Sequence, residues 1–211
     1  MRLIEISKAL TALDRNGICE AQQLGAAGNL TINGAYATGG VATLETQRIV
    51  GIYSAGNLSG ITFTVYGTNS NGITISEAVT GPNNATVSTT QNFLTVTRVA
   101  ASAAVGSDVE VGTTGVGATA PIVLDQYISP FNVALGAVVT GTVNFTVQYT
   151  NGNVFPTNTS DLNNLVWIDT ISAGSVNAVG TLVSPVAAVR LQINSGQGTV
   201  NMTVRQAGAR G

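Results

Sequence analysis

From Ile61 to Val65 apolar and hydroxyl side chains alternate, Ile-Thr-Phe-Thr-Val, until Asn69-Ser70-Asn71-Gly72 interrupts the pattern and Ile73-Thr74-Ile75-Ser76-Glu77 resumes it. A period of two puts every second side chain on one face, so the stretch predicts two half-buried strands. The Asn and Gly residues between them tolerate positive φ, as a hairpin turn requires. Gly81-Pro82-Asn83-Asn84 ends this ladder. Phe93 to Val99 predicts a further strand, and Asp108-Val109-Glu110-Val111 puts two carboxylates on the face opposite two valines.

The same vocabulary returns in the second half of the chain. Val143-Asn144-Phe145-Thr146-Val147-Gln148-Tyr149 writes Phe-Thr-Val again and runs into an Asn151-Gly152-Asn153 turn. Val186 to Ile193 leads through Ser195-Gly196-Gln197-Gly198 into Thr199 to Val204, so that Phe93–Val111 corresponds loosely to Val183–Val204. Thr113 to Pro121, uncharged and without a consistent period, reads as a connector. The expected fold is all-β: two antiparallel β-sandwich, jelly-roll-like domains in tandem, 51–118 and 119–211, behind an extended N-terminal arm, 1–50, that carries the first strands. The second copy contains an insertion, Phe155 to Gly180, with the sole tryptophan, Trp167, whose large ring is expected in the core.

The arm is harder to read. Ile4-Glu5-Ile6-Ser7 alternates, Ala9 to Leu13 also suits a helical turn, Asp14-Arg15-Asn16-Gly17 is a turn, and Gly25 to Gly40 is loop-like around Leu30-Thr31-Ile32. The arm either adds a strand to the first domain or reaches an adjacent copy. Leu3, Ile4, Glu5 and Ile6 are accordingly the candidate assembly contacts.

Composition narrows the functional classes. Only 9% of residues are charged, against about 25% in ordinary domains. The surface must therefore be hydroxyls, amides and small apolar groups, which do little to block edge-to-edge sheet pairing. A net charge of −2, a single lysine and scattered arginines leave no basic stripe for phosphates, so no nucleic-acid partner is expected. No apolar run approaches the roughly 20 residues of a spanning helix, so no membrane partner is expected either. Glu5 and Lys8 interrupt what would be the apolar core of a signal peptide, and no export signal is read.

The absence of histidine removes Ser-His-Asp and Cys-His nucleophile arrangements and the commonest zinc sites. The lone Cys19 has no disulfide partner in the chain and is expected to be a buried apolar thiol. Two carboxylate pairs, Asp161 with Asp169 and Asp108 with Glu110, are the available histidine-free catalytic candidates; pairs of this kind arise by chance among ten acids. A calcium site built from Asp14, Asn16, Asp161 or Asp169 lacks the dense acidic loop such sites use. Gly196-Gln197-Gly198-Thr199 lacks the lysine and following helix of a phosphate loop and reads as a hairpin turn. No catalytic residue, cofactor or metal is expected.

The run TFTVYGTNSNGITISEAVTGPNNATVSTTQNFLTVTRVAASAAVGSDVEVGT, Thr62 to Thr113, resembles small β-rich virion proteins of tailed bacteriophages. PVAAVRLQINSGQGTVNMTVRQAG, Pro185 to Gly208, looks like the second half of the same type of protein. The resemblance lies in Thr/Val strands, a Gly-Pro-Asn turn and the closing strand. It implies a non-enzymatic virion component, foremost a capsid decoration or cement protein that clamps neighbouring major capsid subunits or other virion proteins as a homo-oligomer, a trimer or ring, assembled in the host cytoplasm. The alternatives are a head-to-tail, tail or fibre-associated component and, from another class, a carbohydrate-binding module using Tyr36, Tyr53, Tyr66, Tyr127, Tyr149 or Trp167.

Overall fold

A computed structural model describes residues 2–155 and 165–210. Asp161 lies outside the described residues. Among those described, all regular structure is β and no helix occurs; the sheets are antiparallel. Two compact units form, Leu13–Gly117 and a terminal unit of Met1–Ala12 with Ala118–Gly211. The first 50 residues are thus divided between the units rather than forming one arm, because their two apolar patterns find different partners. The first of them, β1 (Arg2–Ala9), pairs with a strand from the other end of the sequence.

The Leu13–Gly117 unit contains β2 (Cys19–Leu24), β3 (Gly28–Asn29), β4 (Ala37–Thr38), β5 (Val41–Asn57), β6 (Thr62–Thr68), β7 (Thr74–Thr80), β8 (Asn83–Ala101) and β9 (Val105–Ala118). Their order across the sheet is β9-β5-β8-β6-β7, with β2 on β9, β3 on β8 and β4 on β5. Position 50 falls inside β5, so no boundary lies there. The hairpin predicted from the Thr/Ile alternation is β6–β7, in register from Thr62↔Thr80 to Thr68↔Thr74. Its turn is closed by Asn69, whose Oδ1 accepts the N–H groups of Asn71 at 2.9 Å and Ile73 at 3.1 Å. Gly72 takes φ 75° there, a conformation cheap only for glycine.

Residues 13–40 strap the same unit. Ile18 donates to Val111 and Leu30 to Val99 through backbone bonds of 2.9 and 2.8 Å, and Ile18, Leu30 and Ile32 are buried. The strap passes so close to itself that a Cβ on Gly34 would stand 2.2 Å from the Asn16 carbonyl oxygen. β5 loses its alternation at Thr46-Gln47-Arg48, three consecutive buried residues at a register shift against β8. Such a shift re-aims side chains and leaves room for an unusual one. Here it buries Arg48 completely, with its guanidinium 2.7 Å from Glu45 and also bonded to the Thr114 carbonyl.

In the terminal unit, β10 (Ile122–Val123), β11 (Ile128–Thr140), β12 (Val143–Thr150), β13 (Ile168–Gly174), β14 (Ala178–Leu182), β15 (Ala188–Gly196) and β16 (Thr199–Arg210) join β1. One sheet has the order β1-β16-β11-β14. In the other, β12 lies between β13 and β15, and β10 pairs with β15. Side chains of both sheets, among them Val133, Leu135, Phe145, Leu191, Ile193, Met202 and Val204, form one buried cluster. The two Phe-Thr-Val segments occupy equivalent places. In β6 and in β12 the phenylalanine and valine are fully buried, the next strand flanks one edge and a later strand the other.

Candidate interaction surfaces

β1 supplies the predicted contacts. Its alternation directs Ile4 and Ile6 inward, packed against the buried cluster, while Leu3 and Glu5 are exposed. The strand is held on one edge by β16, with Leu3↔Arg205, Ile4↔Val204, Glu5↔Thr203 and Ile6↔Met202 opposed. It stands at the end of the sheet order, so these four residues share an edge strand, with two side chains turned outward and two turned in.

The outward face of this sheet can be read from the register. Leu3, Arg205 and Ala134 form one cross-strand row, Glu5, Thr203, Gly136 and Val179 the next, and Ser7, Asn201 and Val138 a third. Most of these side chains are short, which makes the face flat. Its apolar members are well exposed, Leu3 at 48%, Val138 at 51% and Val179 at 87%. Glu5 and Arg205 are the two charges in these rows. Exposed large apolar side chains also occur elsewhere in the terminal unit, at Tyr127, Phe155, Val166, Val176 and Val183, whereas Leu13 alone represents the other unit among the described residues.

The second sheet of the terminal unit is finished differently. Arg190, Gln192 and Asn194 alternate along β15 with the buried Val189, Leu191 and Ile193, and β12 offers Asn144, Thr146 and Gln148 beside them. These side chains bond to one another. Arg190 Nε donates to Gln148 Oε1 at 2.9 Å and its terminal nitrogen to Gln192 at 3.2 Å. Gln148 donates to Asp169 at 2.9 Å, Gln192 to Asn194 at 3.1 Å, and Asn194 to both Asn144 and Thr146 at 2.8 Å. The Arg190 guanidinium lies 4.1 Å from the centre of the Trp167 ring. Burial pushes this guanidinium down to about 10, against which the Asp169 carboxylate pulls upward, so it stays charged at neutral pH.

Trp167 is therefore not a core residue. It is half-buried and stacked beneath a cation at the rim of the ladder, because the apolar places inside are filled by Phe145, Val147 and Leu191. Sequence reading missed the ladder; its only trace is the amide and hydroxyl residues at alternate positions of β12 and β15, which register alone brings side by side. Two other arginines are likewise stacked, Arg15 on Tyr53 at 3.8 Å and Arg98 on Tyr66 at 3.7 Å.

Among the described residues, the other candidate groups hold structural places. Asp108 and Glu110 lie opposite the fully buried Val109 and Val111, with Asp108 accepting from Gln23 at 2.8 Å. Asp14 caps its own turn, accepting from the Asn16 N–H at 3.2 Å. No group of three or more metal-ligating side chains occurs among the described residues. Cys19 is buried, and loss of solvent raises its thiol to about 12, which keeps it protonated and inert. Gly196 to Gly198 is the β15–β16 turn, where Gln197 and Gly198 donate to the Thr142 carbonyl at 3.0 and 2.9 Å. Gly196 has φ 91° and no room for a Cβ, which would meet the Thr142 oxygen at 2.4 Å. Among the described residues no helix is long and apolar enough to cross a membrane. No protein-family model matches the chain, and no curated protein matches it significantly.

Proposed function

We propose that this protein is a non-enzymatic structural component of a bacteriophage particle, foremost a decoration or cement protein that binds the assembled head and bridges neighbouring capsid subunits. In this reading the two units are tandem β-sandwich domains of jelly-roll type, and β1 is the bridging strand, with the exposed edge carrying Leu3 to Ile6 open to strand addition. The observation that carries the reading is the concentration of exposed apolar side chains in the terminal unit, Leu3 of the β1 edge among them, on a chain with very little charge to keep it solvated. Patches of this kind normally mark contact surfaces.

A protein that binds only the finished lattice stabilises it by mass action. Heads made without the protein should therefore lose their contents at lower temperature than complete heads, and readdition should restore them. Mass spectrometry of purified particles should count hundreds of copies; a dozen or fewer would move the protein to the tail or the head-to-tail junction. Heads equally heat-resistant with and without it would defeat the cement reading. Neither nucleic acid nor membrane enters this mechanism.

A further inference from the structure

The two sheets of the terminal unit turn very different faces outward. On one, long amide and guanidinium side chains saturate each other in the ladder from Asp169 to Asn144. The other carries mostly short side chains, among them Ser7, Ala134 and Thr203, with Val138 and Val179 exposed. Its two charges have opposite sign. Glu5 and Arg205 lie on adjacent strands, two residues apart in register, a diagonal separation of about 7–8 Å. Neither forms an ion pair or hydrogen bond among the described residues.

We propose that this face docks on the same face of a second copy of the chain. The argument is one of charge complementarity under symmetry. A two-fold axis lying between two such faces, along the bisector of the line from Glu5 to Arg205, exchanges the two positions. Glu5 of each copy then stands over Arg205 of the other, and both charges are answered twice in one interface. A partner of uniform charge would satisfy one and oppose the other. The small residues Thr203 and Gly136, which continue the Glu5 row across β16 and β11, allow the sheets to approach to the usual distance of about 10 Å, with Val138 and Val179 supplying apolar contact. This deepens the assembly reading above, on which it rests, by naming the partner.

The test uses the full chain and sedimentation velocity over a range of concentrations and salt. The wild type should form a dimer that weakens as salt rises. Glu5→Arg and Arg205→Glu should each weaken it by roughly tenfold or more, because each brings like charges together twice. The double reversal should restore it, and Val179→Asp should abolish it. All three positions are exposed, so circular dichroism should be unchanged. A monomer at every concentration, a dimer indifferent to the single reversals, or a double variant that stays apart would each overturn the proposal. These outcomes leave the particle copy number and heat resistance untouched, so the failure of this pairing and the failure of the cement reading are separable.

Discussion

Glu77 Oε1 accepts both the backbone N–H of Thr90, at 2.8 Å, and the Thr90 hydroxyl, at 3.0 Å. Its other oxygen takes the Gln91 N–H at 2.8 Å. β6 pairs with β8 only from Thr95 onward, so this carboxylate serves backbone donors that the ladder does not reach. Replacing Glu77 with alanine should destabilise the protein by about 0.5–1.5 kcal/mol, the net worth of hydrogen bonds that water can partly replace at this half-exposed site. Urea unfolding followed by circular dichroism would measure it. Glu77→Gln, which retains one oxygen acceptor, should fall between the two.

Arg190 ties Trp167 to the amide ladder, and it is the sole tryptophan that reports on it. Arg190→Ala should shift tryptophan emission to the red and lower stability by about 1–2 kcal/mol, combining the lost stacking with the lost bonds to Gln148 and Gln192. Arg190→Lys should recover little of either, since an ammonium group cannot stack flat and bond sideways at once. Unchanged emission in the alanine variant would show that the ring is held by something else.

Cys19 sets an alkaline limit. Its thiol titrates near 9.0 in an unfolded chain and is raised to about 12 in the fold by burial. Between these values the unfolded state gives up the proton while the folded state keeps it, so unfolding is favoured as pH rises. The contribution is complete below about pH 9 and fades toward 12. Wild type should therefore lose stability relative to Cys19→Ala across that window, and the gap between them should be constant at lower pH. At neutral pH a thiol reagent should modify Cys19 only after denaturation.

Two glutamines act as substitute strands. Gln206, buried in β16, accepts from the Asp125 N–H at 3.0 Å and donates to the Asp125 carbonyl at 2.8 Å. Gln22 treats Thr31 the same way, at 2.8 and 2.9 Å. Gln206→Ala should cost about 1–3 kcal/mol through these two bonds. Gln206→Glu should be at least as damaging, because a carboxylate turns one donor into a second acceptor facing the carbonyl. Thermal unfolding of both variants would decide it.

These cases mark how far the sequence could be read. The alternation around Phe63 and Phe145 was legible because a period of two needs no partner to be recognised, and the hairpin at Asn69-Gly72 because its turn chemistry is local. Glu77 was visible as a carboxylate in phase with Ile75, yet what it serves depends on a pairing gap in β8, which is distant in sequence. Ladder, glutamine clamps and buried Arg48 share that dependence: each rests on register or on a bulge. Trp167 was misjudged because ring size argues for burial only while interior places remain. The four residues from Leu3 to Ile6 showed their alternation, but not that β16 would take one edge.

The pairing of β1 with β16 sets an order of events during synthesis. β1 leaves the ribosome well before its partner, so until β16 is made its apolar Ile4 and Ile6 lack the strand that pairs with them. β2 to β8 meanwhile find partners within residues 13–117 and can close as they emerge. Chains stalled before Thr199 should be clipped by protease within β1, and chains that include β16 should resist: a strand made late locks one made early.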